Sequence, residues 1–337
     1  MRIAIVNDND MNLIIMKHII DTFTDNHIAW LAMDGHEAIR KCQDDVPDLI
    51  LMDMIMPGMN GVEASRVIMQ ETPCAILIVT ATVSGNAAMV FEAMSCGALD
   101  VVKTPFSGMQ EDESEMKDFL HKLKVVNNLI HTNSRPKVTL TNNKTPETSS
   151  HNKIVVIGAS TGGPGVLATI LKDMPADFSA PIIIVQHVDS SFMHNFASWL
   201  NKQSDLTVRI AQKGERPQPG TVLIAGKSEH LIMTNGEKLE YSELHKELAY
   251  KPSVDVFFNS IEKHWKGDTI AVLLTGMGKD GAAGLASIKK SGGHTITQTK
   301  ETCTVYGMPK AADDIGASVQ SLAPHEIPAV LTDIVKK

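Results

Sequence analysis

Three side chains suited to acyl transfer stand at the ends of three apolar runs. Ser160 follows Lys153-Ile154-Val155-Val156-Ile157-Gly158-Ala159 and precedes Thr161-Gly162-Gly163-Pro164. His187 closes Pro181-Ile182-Ile183-Ile184-Val185-Gln186. Asp280 lies in the turn Gly276-Met277-Gly278-Lys279-Asp280-Gly281, behind Thr269-Ile270-Ala271-Val272-Leu273-Leu274. Serine, histidine and aspartate can serve as nucleophile, general base and orienting carboxylate. Taken singly, each has a plainer reading. Ser160 or Thr161 caps a helix, His187 is a hydrogen-bonded strand-end histidine, and Asp280 holds its own turn. For a lone Ser-Thr-Gly-Gly the capping reading is the better one. Three such ends together favour the triad.

A second constellation is acidic. Asp53 ends the run Asp48-Leu49-Ile50-Leu51-Met52, ahead of the turn Met56-Pro57-Gly58-Met59-Asn60-Gly61. Asp8 follows Arg2 to Val6, and Thr80 ends Ile76-Leu77-Ile78-Val79. Two carboxylates and a hydroxyl at one sheet edge suit a hard cation and a phosphoryl group. Turn aspartates would explain Asp8 alone but explain the whole set poorly.

The elements must bring these residues together. Runs rich in Ile, Val and Leu that stop at small-residue turns read as buried parallel strands. Gly162-Gly163-Pro164 reads as a tight turn into a helix, with proline tolerated in its first turn. Parallel strands put all the turns at one edge, where open α/β sheets place their sites. Strands alternating with helical patterns predict α/β domains with parallel sheets. Met116, Phe119, Leu120, Leu123, Val126 and Ile130 repeat at helical spacing. Residues 131–152 are polar, rich in Ser, Thr and Asn, and read as a linker. The expected domains are therefore 1–125 and 153–337, with the helix end and linker over 126–152. At 337 residues, each half can bury its own core.

Composition excludes several classes. The net charge of −8 gives no global signal for nucleic acid or an anionic membrane surface. The four cysteines, Cys42, Cys74, Cys96 and Cys303, are scattered, which argues against a disulfide framework or zinc site and for a reducing cytoplasm. No apolar run reaches spanning length, and Met1-Arg2-Ile3-Ala4-Ile5-Val6 enters a strand rather than a signal peptide.

Residues 153–325 resemble the catalytic domain of the chemotaxis protein-glutamate methylesterases. The resemblance rests on Gly158 to Pro164, Gln186-His187, Lys213-Gly214-Glu215-Arg216, Pro252-Ser253-Val254-Asp255-Val256-Phe257-Phe258, Leu274 to Gly284 and Gly307-Met308-Pro309. It implies a doubly wound, mostly parallel, Rossmann-like sheet and a serine esterase without a cofactor. Ser160 would be the nucleophile, His187 the base and Asp280 its partner. Thr161 and the Met277 backbone N–H would line the oxyanion site. The substrate would be a glutamate γ-methyl ester on a methyl-accepting chemoreceptor, with glutamine deamidation by the same route.

Residues 1 to about 125 resemble response-regulator receiver domains. That resemblance implies a five-stranded flavodoxin-like sheet and phosphotransfer from a histidine kinase to Asp53. It implies Mg²⁺ held by Asp8, Asp53 and the Ile55 carbonyl, with the Thr80 hydroxyl closing on the phosphoryl group. It also implies that the unphosphorylated receiver covers the esterase site.

The chain departs from both patterns. Asn7-Asp8 replaces the usual acidic pair, so Mg²⁺ should bind less tightly. Asn7-Asp8 is also similar to methylesterases of alternative chemosensory clusters. In Lys103-Thr104-Pro105 the lysine falls one residue early, and a one-residue shift on a strand turns a side chain to the opposite face. Val101 stands where many receivers carry a switch aromatic. In the esterase half, Ala225-Gly226-Lys227-Ser228-Glu229-His230 and Lys251 replace the common Ala-Pro-Gly and arginine. Lysine lacks arginine's bidentate fork.

Three rival readings compare poorly. Gly158 to Gly163 lacks the full dinucleotide fingerprint and a Walker lysine. The second half is too large, and lacks the basic face, for a helix-turn-helix output. A degenerate esterase fold used only for docking sits badly with an intact Ser160, His187 and Asp280.

Overall fold

The apolar runs become the central strands of two parallel sheets. The structure is a computed structural model and describes residues 1–80, 83–105, 113–131, 152–244 and 251–337. Two compact units divide the chain, Met1–Val138 and Thr139–Lys337.

The first unit alternates strand and helix: β1 (Arg2–Val6), α1 (Asp10–Phe23), β2 (His27–Ala32), α2 (Gly35–Asp44), β3 (Leu49–Met52), α3 (Gly61–Glu71), β4 (Ala75–Thr80), α4 (Val83–Ser95), β5 (Asp100–Lys103) and α5 (Glu113–His131). The sheet order is β2-β1-β3-β4-β5, with all pairings parallel. Local chemistry sets the helix starts. The Asn9 side chain accepts from the Met11 and Asn12 amides, and Asn60 and Glu63 form a capping box at α3. α1 buries Leu13, Met16, Ile19 and Ile20 against Ile3, Ile5, Leu49 and Leu51. α5 adds Phe119, Leu123 and Val126 to this core. It runs to His131, so the polar stretch expected as a linker starts one residue inside it. The rest of that stretch, 132–151, lies outside the described residues.

The second unit comprises β6 (Lys153–Ala159), α6 (Gly163–Lys172), β7 (Ile182–Gln186), α7 (Ser190–Gln203), β8 (Thr207–Ile210), β9 (Thr221–Ile224), β10 (His230–Thr234), β11 (Lys238–Ser242), α8 (Val254–His264), β12 (Asp268–Leu273), α9 (Ala282–Lys290), β13 (His294–Gln298), α10 (Met308–Asp314), β14 (Gln320–Leu322) and α11 (Ile327–Lys336). Its seven-stranded sheet has the order β14-β13-β12-β6-β7-β9-β8, and every pairing is parallel. β10 and β11 form a separate antiparallel hairpin. The chain leaves β6 toward β7 and later returns to lay β12 on the other side. The carboxyl end of β6 is therefore the topological switch point. Phe257, Phe258 and Ile261 of α8 pack with Leu285 and Ile288 of α9 and with Val156, Ile183 and Leu273 of the sheet.

Candidate active site

β6 delivers Ser160 into a turn closed by the Gly163 amide donating to the Ser160 carbonyl at 2.8 Å. Gly162 takes φ 78° there, so α6 starts behind a left-handed residue. The Ser160 amide donates to the Thr275 carbonyl at 3.0 Å, tying the nucleophile turn to the end of β12. Gly276 must be glycine, because a Cβ there would lie 2.7 Å from the Ser160 Cβ. Ser160 is 7% exposed and Thr161 is equally buried. The Ser160 hydroxyl makes no hydrogen bond to a described residue. Neither the Thr161 nor the Met277 amide donates to one.

The neighbouring strand delivers the histidine. The His187 amide donates to the Ala159 carbonyl at 3.0 Å, continuing the β6–β7 ladder one residue past the strand. The His187 Nε2 then meets the Asp280 Oδ2 at 2.9 Å, across 93 residues of chain.

Asp280 is held more thoroughly than the sequence suggests. Its Oδ2 also accepts from the Val254 amide at 2.7 Å, and its Oδ1 from the Asp255 amide at 3.0 Å and the Ser253 hydroxyl at 2.8 Å. Those donors form the N-terminus of α8, where unpaired amides and the helix dipole favour an anion. Burial alone would raise the Asp280 carboxyl. Its bond to His187 and the α8 amides outweigh that and leave it below the usual carboxylate range. Asp255 returns the favour: its carboxylate accepts from the Gly284 amide of α9 at 2.7 Å. Burial pushes the Asp255 carboxyl up against these backbone donors.

Residues flagged by motif alone take supporting positions. Ser253 both caps α8 through the Val256 amide and bonds Asp280. Glu215 is clasped by Arg209 at 3.1 and 2.6 Å, and backbone bonds on either side of it seat Leu239 of β11. Lys227 stacks over the Tyr241 ring at 4.8 Å. The Ser253 contact was readable in principle, since serine before a helical run is a cap signal. Its carboxylate partner was not, because backbone donors leave no mark on residue type.

In the first unit, Asp53 and Thr80 end adjacent strands, and Thr80 is 1% exposed. The Asp53 carboxylate accepts from the Asn7 side-chain amide at 2.9 Å and from the Met54 amide at 2.6 Å. Burial raises its pKa to about 6 against the pull of the Met54 and Ile55 amides, and the Asp8 charge adds to the rise. The Asn7 oxygen is occupied by the Asn9 amide and the Asn12 side chain. Lys103 pairs with Glu115 of α5 at 3.9 Å. Lys103 stands in register with Thr80 across the β4–β5 pairing, and Thr104, next along, is buried. Val101 is a core residue.

A receiver-type sheet with an aspartate at its edge, in one chain with a parallel α/β unit, defines a response regulator with an α/β output domain. Residues 3–112 match the response regulator receiver domain and residues 155–331 the CheB methylesterase. The chain belongs to the CheB methylesterase family, as its motifs led one to expect. It is 46% identical to protein-glutamate methylesterase/protein-glutamine glutaminase 1 of Burkholderia lata, covering 94% of each chain. It is 43% identical to protein-glutamate methylesterase/protein-glutamine glutaminase 3 of Pseudomonas aeruginosa, covering 99% of each. The crystal structure of the Thermotoga maritima CheB methylesterase catalytic domain is 39% identical, with a TM-score of 0.51, covering 56% of this chain and all of that one. The α/β fold class, parallel in both units, holds. Among the described residues, no helix is long and apolar enough to cross a membrane.

Proposed function

We propose that this chain is a phosphorylation-controlled protein-glutamate methylesterase and protein-glutamine glutaminase acting on methyl-accepting chemoreceptors in the cytoplasm. The observation that carries the reading is the His187–Asp280 bond at 2.9 Å, anchored on the α8 N-terminus beside the Ser160 turn.

Asp280 occupies Nε2 of the ring, so the Ser160 proton passes to Nδ1 as the hydroxyl oxygen attacks the ester carbonyl. The Thr161 and Met277 amides receive the oxyanion, a contribution of about 3–4 kcal/mol per donor in comparable sites. Collapse breaks the bond to the methoxy oxygen, and methanol leaves with the proton from His187. A water then gives its proton to His187 and attacks the acyl-serine, releasing glutamate and restoring the Ser160 hydroxyl. For glutamine, ammonia leaves in place of methanol. Asp280 fixes the tautomer and balances the imidazolium charge.

In the receiver, Asp53 accepts the phosphoryl group from a histidine kinase. The donor set fits Mg²⁺: the Asp8 charge bears on the Asp53 carboxylate closely enough to raise its pKa, so two carboxylates share one site, and this ion needs few protein ligands. Asp8, Asp53 and the Ile55 carbonyl would hold it, and it would neutralise charge on the phosphoryl oxygens. Asn7 brings no negative charge, so affinity is lower than with the usual acidic pair. With Lys103 on Glu115, the Thr80 hydroxyl reads the phosphoryl group.

The test is methanol release from methylated receptor, with and without acetyl phosphate and Mg²⁺. Wild type should release methanol faster with the phosphodonor. Asp53→Ala should ignore it, and Ser160→Ala should stay folded and release none. Release by Ser160→Ala near the wild-type rate removes Ser160 from its role. No release by wild type under any condition overturns the esterase reading.

A further inference from the structure

β7 ends on a glutamine that is fully buried and faces the nucleophile turn. The Gln186 side-chain amide nitrogen donates to the Ser160 carbonyl at 2.8 Å and to the His187 carbonyl at 3.2 Å. One NH₂ group thus bridges the backbone of the nucleophile and the backbone of the base. Only the nitrogen can take this place, because the oxygen would face two carbonyl oxygens.

The other half of the amide is under unusual constraint. Gln186 Oε1 is buried and has no hydrogen-bond partner among the described residues. It takes the space beside Gly163, where an added Cβ would lie 2.1 Å from it. A buried acceptor without a partner is unfavourable and calls for a reason. Leucine or methionine would fill the same space without that cost. What neither could do is donate to two carbonyls.

Resting on the serine-esterase reading above, we infer that Gln186 is a positioning residue for catalysis: its amide holds the Ser160 and His187 turns at a fixed separation. The Gly163 amide also donates to the Ser160 carbonyl, so the turn itself survives without Gln186. The His187 amide on the Ala159 carbonyl likewise keeps the ladder, so what is lost is the direct tie between the Ser160 and His187 carbonyls one residue further on. Nucleophile and base lie on separate strands, and small errors in their separation act directly on proton transfer. Gly162-Gly163 then has a second meaning: Gly163 is small because the Gln186 amide needs the space.

The experiment compares wild type, Ser160→Ala, Gln186→Met and Gln186→Glu in the full chain. Methanol release from methylated receptor gives kcat and KM, and a fluorophosphonate probe gives the rate of Ser160 labelling. Gln186→Met removes both donors at similar length. It should lower kcat by about 10–100-fold with KM unchanged, and slow labelling in parallel. Gln186→Glu keeps the shape but donates only when protonated. Its activity relative to wild type should therefore rise as pH is lowered, a slope that a packing role would not produce. Circular dichroism confirms the fold, and Gln186→Met carries the test if the glutamate variant does not fold. Wild-type kcat in Gln186→Met, with release still dependent on Ser160, overturns this inference and leaves the esterase reading standing. Release that does not depend on Ser160 overturns both.

Discussion

Asp280 shows how one residue's setting decides its chemistry. Four donors converge on its two oxygens: the His187 ring, two helix amides and the Ser253 hydroxyl. The carboxylate cannot rotate without breaking several of them, so the imidazole it holds cannot rotate either. Asp280→Asn should lower methanol release by about 10³–10⁴-fold, because an amide supports the wrong tautomer. Stability follows the same group. Its folded pKa lies below the ordinary 3.8, so its stabilisation is complete above that value and is lost as pH falls through the folded pKa. Thermal melts of wild type should therefore fall more steeply than those of Asp280→Asn as pH drops below 3.8. Parallel curves would mean that Asp280 is not held as an anion.

At the scale of elements, α8 and α9 exchange carboxylates. Asp280 stands just before α9 and bonds the amides of α8, while Asp255 stands in the first turn of α8 and bonds the Gly284 amide of α9. Each carboxylate thereby takes up free amides at the N-terminus of the other helix. The helices approach closely at Gly284, where a Cβ would lie 2.6 Å from the Phe258 Cβ. Asp255→Ala should lower unfolding free energy by about 1–2 kcal/mol, the scale of a lost N-cap, as read by urea titration. It should also reduce methanol release, since loosening α9 loosens the residue ahead of it. Asp255→Asn keeps an acceptor and should restore most of both. A variant that loses stability but not activity would separate the two helices' roles.

For the whole molecule, each unit has its own sheet and its own core. Residues 148–337 should therefore fold alone. If the receiver restrains the esterase, this fragment should release methanol at least as fast as the phosphorylated full chain and ignore acetyl phosphate. A rate equal to that of the unphosphorylated full chain would mean that the receiver is no inhibitory lid. Asn7 on Asp53 and Lys103 on Glu115 bear on how strongly the full chain responds, not on what the fragment does.

Much of this was legible in residue types alone. The Ile- and Val-rich runs ending at Ser160, His187 and Asp280 announced buried parallel strands, because burial on both faces leaves a continuous apolar stretch. The glycines at 162, 276 and 281 announced tight turns, because few other residues fit there. Tertiary structure decided the rest. Only the order β12-β6-β7 puts the three strand ends side by side. Only the packing of α8 shows that backbone amides hold Asp280, and only the close approach of two turns gives Gln186 its double contact. Local pattern reports the period and polarity of a segment. It carries no trace of donors that every residue possesses, nor of a partner 93 residues away.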